Sequence, residues 1–149
     1  MYNAINRDVK EIIKTETDLI ANLANITALI KLGLENVGWV GFFLVKGDEL
    51  ILGPFQGNPA TTRIKFGKGV CGAVAASKDI QLVMDVNDFP GHLACDSSSN
   101  SEVCLPIIIN NRVVGVLDLD SPLVGRFGEE DVKGLSMIIE TLKASIKFD

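Results

Sequence analysis

Two apolar runs, residues 103–109 and 112–120, are separated only by Asn110-Asn111. Asparagine tolerates the left-handed backbone of a two-residue hairpin turn, so this stretch predicts two antiparallel strands joined tightly. A similar break at Lys46-Gly47-Asp48 divides residues 37–45 from residues 49–53 and predicts a second hairpin. Chain reversals this short leave no room for the long crossovers of a parallel sheet. The chain is therefore held to a mostly antiparallel sheet, and whatever helices it has must cover that sheet.

The helical signals lie at the two ends. Leu19, Ile20, Leu23, Ile26, Leu29 and Ile30 recur every three or four residues and draw one apolar stripe. Thr17 or Asp18 supplies a cap and Gly33 a stop. A shorter helix precedes it, with Val9, Ile12 and Ile13 on one face. Residues 129–148 form the last helix, with Leu135, Ile138, Ile139, Leu142 and Ile146 inward and Glu129, Glu130 and Asp131 at its start. Between the hairpins come a loop at 53–62 containing two prolines and two glycines, a strand at 63–66, an Ala-rich helix at 70–78 and a strand at 80–86. The sum is an α+β chain with a six-stranded sheet and its N- and C-terminal helices on one face. At 149 residues, the whole of 1–149 is expected to be one domain.

Composition narrows the function classes. With 47% hydrophobic and 22% charged residues the chain is expected to fold rather than stay disordered. Its net charge of -5, without a basic run, argues against nucleic acid and anionic membrane partners. The first residues lack the basic start and apolar core of a signal peptide, and no apolar run approaches membrane-spanning length. Three cysteines cannot all pair with one another. The expectation is a cytoplasmic protein that keeps its thiols.

Residues 87–100 form a long polar loop carrying the one histidine, His92, and Cys95. Glu102 lies seven residues beyond Cys95, and Cys104 begins the next strand. Asp118 and Asp120 are two residues apart in a strand, so their side chains share a face. Three chemistries compete for these residues. Cys71, His92, Cys95 and Cys104 match a zinc set by count but lack a close Cys-x-x-Cys pair. Cys71 and Cys104 also fit as small buried hydrophobes, and Asp118 and Asp120 as partners of the following loop. The third reading is thiol chemistry. Cys95 attacks an oxidised group while Glu102, Asp118 or Asp120 protonates the departing oxygen, leaving a sulfenic acid for a second thiol to resolve. His92 as a base for Cys95 in acyl transfer fits less well, because neighbouring carboxylates repel the anionic intermediate.

The chain resembles the free methionine-(R)-sulfoxide reductases, which are single GAF domains. The matching segments are Gly38-Trp39-Val40-Gly41-Phe42-Phe43, Gly53-Pro54-Phe55-Gln56-Gly57, Gly67-Lys68-Gly69-Val70-Cys71-Gly72 and Pro90-Gly91-His92-Leu93-Ala94-Cys95-Asp96. Ser99-Asn100-Ser101-Glu102-Val103, Gly115-Val116-Leu117-Asp118-Leu119-Asp120-Ser121 and Gly125-Arg126-Phe127 continue the match in order. The resemblance implies that Cys95 attacks the sulfoxide sulfur of free methionine-(R)-sulfoxide. Glu102, Asp118 and Asp120 would hold the ammonium and protonate the oxygen, and Trp39 would wall the pocket and offer an N–H. It also implies thioredoxin-type dithiols as reductant, no bound cofactor and a homodimer. The apolar faces of the end helices point to a homodimer as well. Two positions depart from the pattern. Thr61 stands where many relatives carry a resolving cysteine, which leaves Cys71 and Cys104 as candidates for that role, or direct reduction of Cys95 by the external thiol, and Phe43 stands where tyrosine is common. A GAF domain that binds a small molecule without catalysis is the alternative.

Overall fold

The computed structural model describes residues 1–91 and 98–148. Two helices open the chain, α1 (Tyr2–Ile13) and α2 (Leu19–Gly33). The first hairpin is β1 (Trp39–Lys46) and β2 (Glu49–Gln56), followed by β3 (Arg63–Lys65), α3 (Gly69–Ser77) and β4 (Gln81–Val83). A single 3-10 turn, Val86–Asp88, leads toward the second hairpin, β5 (Ser101–Ile109) and β6 (Arg112–Ser121), and α4 (Glu129–Ser145) closes the chain. The six strands form one sheet in the order β3-β2-β1-β6-β5-β4, and every neighbouring pair is antiparallel. Asn110 and Asn111 both take positive φ, 52° and 62°, as a tight hairpin turn requires.

Strand alternation divides the buried side chains between the two faces of this sheet. Val40, Phe42, Val103, Leu105, Ile107, Leu117 and Leu119 face α1, α2 and α4 and join Leu23, Ile26, Ile30, Ile138 and Leu142 in the larger core. Trp39, Phe43, Cys104 and Val116 face the other way and pack with Val70, Cys71, Val74 and Ala75 of α3. The end helices thus share one face as expected. Their apolar stripes are already covered by this core, with Leu23, Ile26, Ile30, Ile138 and Leu142 fully buried, so those side chains leave nothing for a second copy to cover. On α2 the large apolar side chains that remain exposed are Ile20 and Leu32.

Local caps fix the helix ends, and Tyr2 ties α1 to α4. Asp18 caps α2, its carboxylate accepting from the Ala21 N–H at 2.9 Å. Asp131 accepts from the Gly128 N–H at 2.9 Å to cap α4, and it also accepts from the Tyr2 hydroxyl at 2.5 Å. The Tyr2 ring lies directly over Gly134, where any Cβ would collide with it. These contacts seat α1 on α4 and close the layer of helices over the sheet.

Several boundaries differ from the sequence expectation, among them β1, which begins at Trp39 rather than at residue 37, and β5, which begins at Ser101 rather than at residue 103. Strand β2 runs on through Pro54 to Gln56 instead of ending in a loop at residue 53. The register shifts between Gly41↔Phe55 and Phe43↔Leu52, so Gly53 and Pro54 share the place opposite Phe42 in a bulge. Pro54 lacks an N–H, but β3 pairs only with Glu49, Leu50 and Ile51, so no ladder bond is lost on that side. The strand expected at 80–86 shortens to Gln81–Val83, because the Asp85 carboxylate accepts from the Asn87 N–H at 3.0 Å and starts the 3-10 turn. Helix α4 ends at Ser145 rather than 148. Among the described residues, no helix is long and apolar enough to cross a membrane.

Candidate active site

The sheet face beneath α3 turns polar toward one end. Sheet pairing aligns Trp39 of β1, Asp120 of β6, Glu102 of β5 and Val83 of β4 in one row across four strands. The next row carries Phe55, Gly41, Asp118, Cys104 and Gln81. Two residues of β6 and two of β5 therefore meet by register alone, each pair following the i, i+2 alternation. Asp118 is 0% exposed, and Glu102 and Asp120 are 1% exposed. Carboxylate oxygens of the three lie within 4.8 Å of one another.

Three buried acids this close cannot all be ionised cheaply. Burial pushes the Glu102 carboxyl up to about 8, with the Asp120 charge adding to the rise and a hydrogen bond from Asp118 opposing it. Glu102 thus keeps its proton at neutral pH. Asp120 accepts from the Ser99 hydroxyl at 3.1 Å. Ser99 was not singled out in the sequence, where it is one of three consecutive serines with no local pattern to distinguish it.

The thiols join the same cluster from α3 and β5. Cys71 Sγ donates to Glu102 Oε2 at 3.8 Å, and Cys104 Sγ donates to Cys71 Sγ at 3.6 Å. Both are buried. Of the four residues that match zinc by count, the structure brings together Cys71 and Cys104. Their sulfurs and an Asp118 oxygen lie within 4.8 Å of one another, and with the three carboxylates these are, among the described residues, the donor sets that could hold a cation. His92 and Cys95 lie outside the described residues.

Trp39 is 0% exposed and stacks between Phe43 at 5.9 Å and Phe55 at 5.4 Å. Its indole N–H donates to the Asn58 carbonyl at 3.0 Å, so that donor is committed to the protein rather than to a ligand. A Cβ at Gly57 would sit 2.6 Å from Trp39 Cδ1, which is why the ring has room only beside glycine. Phe43 is fully buried against this ring, and Thr61 is exposed. Trp39→Ala is expected to cost about 3–5 kcal/mol of stability, and Trp39→Phe clearly less, because the stack and part of the volume remain. Chemical denaturation of the two variants checks this. An alanine variant as stable as the parent would show that the stack does not support the fold.

A cavity of about 580 Å³ lies at the opposite end of the sheet beside Arg112, Val113, Lys143 and Phe148. It contains none of these acids or thiols.

Residues 15–147 match the GAF domain family. The chain is 45% identical over 142 residues to the free methionine-R-sulfoxide reductase of Escherichia coli (strain K12), covering 95% of this chain and 86% of that protein. Two solved structures superpose closely and are each 41% identical to it. The fRMsr of Staphylococcus aureus in complex with substrate has a TM-score of 0.91, covering 97% of this chain and 94% of that one. The free methionine-R-sulfoxide reductase of Neisseria meningitidis in complex with its substrate has a TM-score of 0.93, covering 97% and 87%.

Proposed function

We propose that this chain, which belongs to the free methionine-R-sulfoxide reductase family of GAF domains, reduces free methionine (R)-sulfoxide to methionine. The observation that carries the reading is the cluster of Glu102, Asp118 and Asp120 with a proton held on Glu102. A sulfoxide oxygen leaves only if it is protonated, and Glu102 has a proton to give at neutral pH. Asp120, with Asp118 beside it, is the acidic partner for the substrate ammonium, which a sulfoxide within a peptide lacks. Trp39 contributes an apolar ring at the end of the row that carries Asp120 and Glu102.

Cys95 is the nucleophile in this proposal. Its sulfur attacks the sulfoxide sulfur, the oxygen passes to Cys95 as a sulfenic acid, and methionine leaves. Cys71 or Cys104 then resolves the sulfenic acid, and a thioredoxin-type dithiol returns the enzyme to its thiol state without a bound cofactor. The proposal extends to a single domain over 1–149, a homodimer, and a reducing cytoplasmic compartment in which thiols persist.

The test is thioredoxin-coupled NADPH oxidation by the reduced protein, with the separated epimers of free methionine sulfoxide and a peptide-bound sulfoxide. Turnover of the free R epimer alone is expected. Tight binding of a small molecule without turnover would replace the enzyme reading with a non-catalytic GAF module.

A further inference from the structure

We propose that Cys71 and Cys104 act in sequence as one buried dithiol, so that the oxidising equivalent taken up at Cys95 is passed on and stored as a Cys71–Cys104 disulfide. This deepens the reductase reading and rests on it. The geometry is the two sulfurs at 3.6 Å, one on the first turn of α3 and the other on the β5 strand beneath it. A disulfide needs about 2.05 Å, so closure asks for roughly 1.5 Å of sulfur movement, the scale of a side-chain adjustment. The hydrogen bonds also run in one direction, from Cys104 to Cys71 and from Cys71 to Glu102, so each thiol has a neighbour toward which its proton is already aimed. Thr61, at the position where the resemblance places a resolving thiol, brings no sulfur of its own.

The chemistry balances in two steps. The Cys71 thiol attacks the Cys95 sulfenic acid, forming a Cys71–Cys95 disulfide and releasing water. The Cys104 thiol then attacks the Cys71 sulfur, forming Cys71–Cys104 and returning Cys95 as a thiol, with its proton coming from Cys104. The oxidant throughout is the sulfoxide consumed in the first half-reaction. Cys71 is 3% exposed and Cys104 0% exposed, so a protein reductant does not reach the stored bond directly. The stored bond is drained by exchange back through Cys95. With no reductant present, Cys95 is ready for a second sulfoxide while the first equivalent stays in store.

The experiment counts methionine released per chain when the reduced, desalted enzyme meets excess free (R)-sulfoxide without any reductant. The parent chain should release about two methionines, one stored as Cys71–Cys104 and one left as the Cys95 sulfenic acid. Cys104→Ser and Cys104→Val should each release about one, a twofold drop, and peptide mapping should find Cys71–Cys104 in the parent alone. One methionine from the parent, with Cys95 bonded to Cys71 or to Cys104 as the terminal state, would overturn the storage step and leave the reductase reading standing. No methionine from the parent would overturn both.

Discussion

Cys95→Ser should lower kcat/KM for free methionine (R)-sulfoxide by at least about a thousandfold. The reason lies in the product of the half-reaction rather than in nucleophilicity alone. A thiol sulfur can take up the oxygen and become a sulfenic acid, whereas a serine hydroxyl has no oxidation state to offer. Substrate binding should survive, because the groups proposed to hold the ammonium are Asp118 and Asp120. Methionine release gives the rate, and calorimetric titration of the serine variant gives the affinity. A variant that retains a tenth of the parent's activity would remove Cys95 from the role of nucleophile.

Protein stability should fall as pH rises from about 4.5 to about 8, and Glu102→Gln should abolish most of that fall. In the unfolded chain Glu102 ionises near its ordinary value of 4.5, while in the folded chain burial holds it at about 8. Below 4.5 both states are protonated and the residue gives no pH dependence. Between the two values the folded state binds one more proton than the unfolded state. Stability therefore drops by about 1.4 kcal/mol per pH unit, toward a total of roughly 5 kcal/mol. Above about 8 both states are ionised and the slope vanishes. Denaturation midpoints of parent and glutamine variant at stepped pH measure the difference directly, and parallel curves would show that Glu102 does not carry the raised value. The same ionisation removes the proton needed by the leaving oxygen. The parent's kcat should accordingly decline through about pH 8.

Features of the fold that depend on neighbours in the sequence could be read from it. Asn110-Asn111 makes the second hairpin, and Asp18 caps α2 where a cap was expected. The common face of Asp118 and Asp120 follows from strand periodicity alone. The placement of Glu102 opposite Asp120 was not legible: the two turn residues alone would set Glu102 against Leu119, and the bulge between Ile107 and Ile108 shifts the register by one residue to bring Asp120 there. The bulge at Gly53 and Pro54 was not legible, because it depends on how far β3 reaches along β2. Nor was the approach of Cys71 to Cys104, 33 positions apart, since it depends on where α3 lies across β5. Ser99 carries no local signal, and its role appears only when Asp120 is in place to accept its hydrogen bond.

The central pairing of β1 with β6 sets a schedule for the growing chain. Trp39 lies opposite Asp120, about eighty residues later in synthesis, and Glu102 depends on the same β6 strand for its neighbours. Closing so wide a loop is slow, and it is not rewarded until both strands are present. The acids therefore meet late, after β6 has left the ribosome and docked between β1 and β5. No shorter nascent chain carries the assembled carboxylate cluster, and the raised Glu102 acid should arise only with the completed sheet.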